Sequence, residues 1–104
     1  MDKNLAFIIT EDKYSKHISG LIGAAAKKNC GISVFIMDKG VFLTENKEFI
    51  EIIKKHNISN VSVCEHSCNV NGISSRTDGF NYASQFENVK IISGLKETDR
   101  IVIL

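Results

Sequence analysis

The sequence lacks proline and low-complexity tracts, so it offers no candidate linker between domains. No apolar run approaches the roughly 20 residues that a membrane-spanning helix needs. The amino-terminal residues have no segment of signal-peptide character, and we therefore expect a cytoplasmic protein. Because 104 residues is close to the commonest domain size, we predict one domain over residues 1–104.

An excess of charge of one sign is also lacking. The formal net charge is +1, the lysines are scattered along the chain, and only Arg76 and Arg100 supply guanidinium groups. Proteins that bind nucleic acid or an anionic membrane directly concentrate positive charge on one surface. We therefore predict no direct nucleic-acid partner and no membrane partner.

The three cysteines are an odd number, which favours free or transient thiols over a structural disulfide framework in a cytoplasmic chain. Two of them lie in residues 61–73, which read VSVCEHSCNVNGI. This pattern predicts a short apolar strand that ends on Cys64, then a polar helical turn that carries Cys68. Helix-end N–H groups stabilise a thiolate at such a boundary. We predict Cys64 as a nucleophile, Cys68 as an accessory thiol, and His66 as a group that assists proton movement.

Other interpretations of these residues remain open. Cys64 can be an inert hydrophobic residue at a strand end, and Cys68 can simply pack a helix against the sheet. A Cys64–Cys68 disulfide needs local unwinding, because helix residues four apart lie near the upper limit of disulfide reach. Cys64, His66 and Cys68 can also supply three zinc ligands, but structural zinc sites normally use four and the spacing is not that of a zinc finger. We predict no metal and no cofactor.

Hydrophobic periodicity predicts alternating strands and helices. The predicted strands are Leu5–Ile9, Ile32–Met37, Val61–Cys64, Val89–Ile92 and Ile101–Leu104. The predicted helices span about 16–28 with Ser15 as N-cap, 47–56, and 65–71, with a short one around 82–86. We therefore predict an α/β fold: a single-domain, three-layer α/β/α arrangement with a mostly parallel sheet of about five strands.

Gly20 and Gly23 lie inside the first predicted helix. Each weakens that helix by roughly 1 kcal/mol relative to alanine. The expected compensation is close packing of the helix on the sheet.

The layout resembles that of the DsrE/DsrF/DsrH-like family, which includes the TusB, TusC and TusD sulfur-relay subunits. The similarity rests on the amino-terminal strand, the small-residue helix segment 20–26, the segment 34–43 and the closing segment 94–104. The closest local match is Val63-Cys64-Glu-His-Ser-Cys68-Asn-Val-Asn-Gly72-Ile73, in which a cysteine precedes a glycine-apolar step by eight residues.

The resemblance implies that Cys64 accepts a persulfide sulfur from a protein donor and passes it to a protein acceptor. It also implies a homo-oligomer, a trimer or a hexamer. Asn71 stands where family members usually carry a basic residue, and this motivates a second hypothesis, a non-catalytic oligomeric binding or regulatory module of the same fold. A third hypothesis is a thiol redox sensor that uses Cys64 and Cys68.

Overall fold

The computed structural model describes residues 4–28, 31–84 and 100–104. In this part of the chain, five parallel strands form one sheet in the order β4-β3-β2-β1-β5. The strands are β1 Asn4–Ile9, β2 Gly31–Ile36, β3 Asn60–Cys64, β4 Asn81–Ala83 and β5 Arg100–Ile103. The helices are α1 Ser15–Lys27, α2 Lys47–Lys55 and α3 Glu65–Val70, with a 3₁₀ helix over Asp38–Glu45. The predicted α/β fold with a five-stranded parallel sheet is confirmed.

The short helix predicted around residues 82–86 is wrong at residues 82 and 83. Residues 82 and 83 belong to β4, whose register pairs Tyr82 with Val63 and Ala83 with Cys64. The three-residue strand is too short to show a period of its own, so its pairing with β3 decides its conformation. Residues 85–86 of that predicted helix, and the whole predicted strand Val89–Ile92, lie outside the described residues.

The described helices all pack on one face of the sheet, which we call the first face. Strand residues of this face alternate along β1, β2 and β3: Phe7, Ile9, Val34, Ile36, Val61 and Val63. They form one core with side chains from α1, the 3₁₀ helix, α2 and α3: Ile18, Ile22, Val41, Leu43, Phe49, Ile53 and Cys68. A second helical layer is not found within residues 4–28, 31–84 and 100–104.

Residues of opposite phase point to the second face of the sheet. Phe35 pairs with Ser62 across β2 and β3, and Cys64 pairs with Ala83 across β3 and β4. All four side chains are buried. Because successive strand residues point to opposite faces, Cys64 belongs to this second face.

The helices α1 and α2 differ in how their first backbone N–H groups are capped. Asn46 caps α2, since its Oδ1 atom accepts a hydrogen bond from the Phe49 N–H at 3.0 Å. Asn57, which follows the C-cap of α2, has a left-handed backbone, φ 54°. The predicted Ser15 cap is wrong, because Ser15 is the first helical residue and Tyr14 precedes it without a side-chain cap.

The surroundings of Gly20 and Gly23 in α1 do not show the predicted close packing of this helix on the sheet. A Cβ atom at Gly20 would meet nothing within 4 Å, whereas at Gly23 it would lie 3.6 Å from Nε2 of His56. The close approach at Gly23 is therefore to the end of α2, not to the sheet. Gly40 has no room for a side chain, because a Cβ atom there would lie 2.5 Å from the backbone oxygen of Ile9.

We predict opposite effects from alanine at two of these glycines. Gly40→Ala forces the 3₁₀ helix away from β1 and is expected to lower the free energy of unfolding by about 1–3 kcal/mol. The matched control Gly20→Ala removes a poor helix former without any clash and is expected to raise it by up to about 1 kcal/mol. Urea denaturation of both variants measures these changes; equal effects would contradict the close packing at Gly40.

Candidate thiol site at the carboxyl edge of the sheet

Cys64 is the last residue of β3 and immediately precedes α3, with an extended backbone at φ −72° and ψ 114°. Its strand lies inside the sheet, between β2 and β4. The side chain is 1% exposed. The predicted boundary between strand and helix is confirmed at this residue, while its role as a nucleophile stays a prediction.

Cys68 lies one turn further along α3 and packs in the core on the first face, also 1% exposed. Burial raises the pKa of the Cys68 thiol above its ordinary value, and the Arg76 guanidinium acts in the opposite direction. Smaller contributions from Cys64 and Glu65 raise it again. At neutral pH, Cys68 is therefore a protonated core residue in this arrangement.

The three residues predicted for the site differ in orientation and exposure. Cys64 and Cys68 are both free thiols, and strand alternation places Cys64 on the second face while Cys68 packs on the first. His66 lies between them in sequence with an exposed side chain. In the described part of the chain, no three His, Cys, Asp or Glu side chains are placed to hold a metal ion.

The short helix α3 is held to Asp38, the first residue of the 3₁₀ helix, by two side chains. The Ser67 Oγ atom accepts a hydrogen bond from the Asp38 N–H at 2.9 Å. The Asn71 Nδ2 group donates to the Asp38 carbonyl oxygen at 3.3 Å and to the Ser67 carbonyl oxygen at 2.8 Å. Asp38 itself has a left-handed backbone, φ 49°. These contacts fix the position of the helix that follows Cys64.

The segment between α3 and β4 is attached to neighbouring elements. The Ile73 N–H donates to the Cys68 carbonyl oxygen at 2.8 Å, which closes the end of α3. Thr77 donates through Oγ1 to the Thr44 carbonyl oxygen at 2.7 Å, and its N–H donates to the Tyr82 hydroxyl at 2.8 Å. The segment therefore links α3 to the 3₁₀ helix and to β4.

Arg76 lies on this segment and was not singled out as a site residue by the sequence. Its guanidinium carbon is 4.4 Å from the centre of the Tyr82 ring, and its Nη2 atom is 3.9 Å from Glu65 Oε2. Both charged side chains are about half exposed, so the ion pair contributes little to stability. Arg76 also acts on Cys68, because its positive charge lowers the thiol pKa that burial raises.

Comparison with known proteins finds no protein-family model and no curated protein sequence that matches this chain. The resemblance to the DsrE/DsrF/DsrH-like family therefore stays a prediction from the residues quoted above. None of the helices in residues 4–28, 31–84 and 100–104 has the length and apolar content that crossing a membrane requires.

The raised pKa of Cys68 predicts a pH dependence of stability. The unfolded chain ionises this thiol at its ordinary pKa, whereas the folded chain ionises it only at higher pH. Its contribution is thus complete below the ordinary thiol pKa and is lost as pH rises through the folded pKa.

We expect the free energy of unfolding to fall more steeply between about pH 8 and pH 10 for the wild-type chain than for Cys68→Ala. Urea denaturation at several pH values gives the two slopes. Because other groups titrate in both proteins alike, the difference between slopes isolates Cys68. Identical slopes would show that burial does not perturb this thiol.

Proposed function

We propose that this chain is a persulfide sulfur carrier of the DsrE-like type and that Cys64 holds the sulfur. The observation that carries this proposal is the position of Cys64, at the carboxyl end of an inner parallel strand and directly before α3. Parallel α/β proteins place their reactive groups at this edge of the sheet. The resemblance of residues 63–73 to the sulfur-relay family supports the same assignment.

The proposed chemistry is thiol exchange without net oxidation. The Cys64 thiolate attacks the outer sulfur of a donor protein's persulfide, a new S–S bond forms, and the donor's S–S bond breaks to release a donor thiolate. An acceptor thiolate then attacks the outer sulfur of the Cys64 persulfide and releases the Cys64 thiolate. The exposed imidazole of His66, two residues away, would exchange the thiol proton with solvent.

Burial of Cys64 requires that the site open before it loads. The side chain lies on the second face of the sheet, opposite the core in which α3 packs. Opening therefore has to expose the second face at the end of β3, and the first-face core need not unfold. Such local opening needs less free energy than global unfolding, and a donor that binds the open form would select it.

The partners in this proposal are a protein donor and a protein acceptor. The family resemblance further implies a homo-oligomer, a trimer or a hexamer. A cytoplasmic location is part of the same proposal. Val70, at the end of α3, is 70% exposed and offers apolar surface to a partner.

Incubation with a cysteine desulfurase and cysteine tests the proposal by mass spectrometry. We expect an adduct of about 32 Da, one sulfur atom, on the peptide that contains Cys64. Cys64→Ala should lose the adduct, and the matched variant Cys68→Ala should keep it. An unmodified Cys64 under conditions that load a known carrier would exclude the proposal.

A second candidate function is a non-catalytic oligomeric binding or regulatory module. The observation that favours it is the burial of both described thiols, each 1% exposed, together with the raised pKa of Cys68. In that function the cysteines serve packing alone, and neither needs to become accessible.

Alkylation with iodoacetamide in low concentrations of urea distinguishes the two functions. For the carrier, we expect Cys64 to be labelled through local opening, with a rate that depends weakly on urea. For the packing role, Cys64 and Cys68 should be labelled together, with the full urea dependence of global unfolding. Peptide mapping gives the two rates separately in one sample.

A further inference from the structure

The turn that ends α3 contains the only Asn-Gly step in the sequence, Asn71-Gly72. The two residues serve separate structural purposes. Gly72 has a left-handed backbone, φ 72°, which glycine adopts without strain and which the end of a helix often requires. Asn71 supplies the side-chain amide that donates to the carbonyl oxygens of Asp38 and Ser67, at 3.3 Å and 2.8 Å. The Asn-Gly pair thus follows from the geometry of the turn and from the link to Asp38.

An asparagine that precedes glycine undergoes a spontaneous reaction. The backbone nitrogen of Gly72 attacks Cγ of Asn71, a new C–N bond forms, and the side-chain nitrogen takes up a proton and leaves as ammonia. Water then opens the resulting succinimide ring at one of its two carbonyl carbons, which gives aspartate or isoaspartate. Nothing is oxidised or reduced, and water is the co-reactant. Glycine favours the attack because it has no side chain to shield its backbone nitrogen.

The surroundings of this peptide leave it open to water. Gly72 is exposed and Asn71 is half-buried. A Cβ atom at Gly72 would meet nothing within 4 Å, so no described element packs against this side of the turn. The Gly72 N–H donates to the Asn69 carbonyl oxygen at 3.3 Å, which is long for such a bond. Hydrolysis at the turn therefore needs no unfolding of the core.

The native conformation of Asn71 restrains the reaction. Ring closure needs Cβ and the following nitrogen on the same side of the Cα–C bond, whereas the ψ angle of 8° at Asn71 turns the Gly72 nitrogen away. The side-chain amide is also held by the oxygens of Asp38 and Ser67. Attack therefore waits for local opening at the end of α3. A helix of six residues has little stability of its own, so this opening needs less free energy than global unfolding.

We propose that Asn71-Gly72 is a deamidation site, controlled by the hydrogen bonds of Asn71, and that deamidation loosens α3 and exposes Cys68. The product carboxylate has no N–H to donate, and it brings negative charge against the carbonyl oxygens of Asp38 and Ser67. It also lies at the C-terminal end of α3, where negative charge is unfavourable. Because hydrolysis does not restore the amide, the change is permanent and accumulates with the age of the molecule.

Cys68 is the group that this change affects. It is carried by α3 and is 1% exposed in the core on the first face. The bond from Asn71 to Asp38 joins residues 33 apart and helps to hold α3 against that core. Loss of the bond therefore raises the fraction of molecules in which Cys68 is accessible. Cys64 lies on the second face of the sheet and serves as a reference thiol in the same molecule.

Incubation of the folded chain at mildly alkaline pH, followed by trypsin digestion and mass spectrometry, tests the modification. The tryptic peptide 56–76 contains Asn71 and three internal controls, Asn57, Asn60 and Asn69, each of which precedes a β-branched residue. We expect aspartate and isoaspartate at Asn71 alone, at a rate that rises in low concentrations of urea. No conversion of Asn71 in the folded chain, equal conversion of Asn69, or a rate that urea leaves unchanged would overturn the proposal.

Asn71→Asp tests the consequence of the reaction. We expect iodoacetamide to label Cys68 about tenfold faster in this variant than in the wild-type chain, relative to Cys64 in the same sample. The matched variant Asn69→Asp adds the same charge to α3 from an exposed position that gives no hydrogen bond to Asp38, and it should leave the ratio unchanged. An unaltered ratio in folded Asn71→Asp would show that deamidation does not loosen α3.

A partly deamidated wild-type sample provides the same measurement if Asn71→Asp does not fold. Asn71, Cys64 and Cys68 lie in one tryptic peptide, so a short pulse of iodoacetamide records deamidation and labelling on the same molecule. We expect the label on Cys68 to be enriched in the deamidated peptides. Equal labelling of both peptide forms would overturn the proposal. Because neither readout contains sulfur transfer, these outcomes are independent of whether Cys64 is a sulfur carrier.

Discussion

Parallel pairing of the strands is the constraint on which the rest of this structure depends. Each parallel connection must cross a face of the sheet and return the chain to the same edge, so the carboxyl ends of β1, β2 and β3 lie side by side. Residues far apart in sequence thereby meet at that edge: Glu11, Asp38 and Cys64. The candidate thiol site lies at this edge for that reason, because Cys64 occupies the end of a parallel strand.

The helix α3 determines the surroundings of Cys68. It begins directly after Cys64, places Cys68 in the core, and is tied to Asp38 at the start of the 3₁₀ helix through Ser67 and Asn71. A helix of six residues has little stability of its own, so these contacts help to keep Cys68 in the core. Cys64 is buried on the opposite face, and its reactivity depends on the free energy of local opening there as much as on the chemistry of the thiol.

The sequence predicts the strands and helices whose conformation follows from the hydrophobic pattern of their own residues. Continuous apolar runs identify β1, β2 and β3, and helical spacing identifies α2; the boundary at Cys64 follows from the change between the two patterns. The sequence does not predict the features that depend on contacts between residues distant in the chain. The bond from Asp38 to Ser67 joins residues 29 apart, and β4 exists because Tyr82 and Ala83 pair with β3. Burial of Cys64, which decides its accessibility, depends on such contacts and has no local signature.

Strand alternation separates the two described thiols although they are only four residues apart. Cys64 lies on the second face of the sheet, whereas Cys68 packs in the core on the first face. Loading of Cys64 therefore requires access at the second face, while ionisation of Cys68 follows the packing of α3 on the first face. A partner that opens the second face would reach Cys64 without unfolding the core around Cys68.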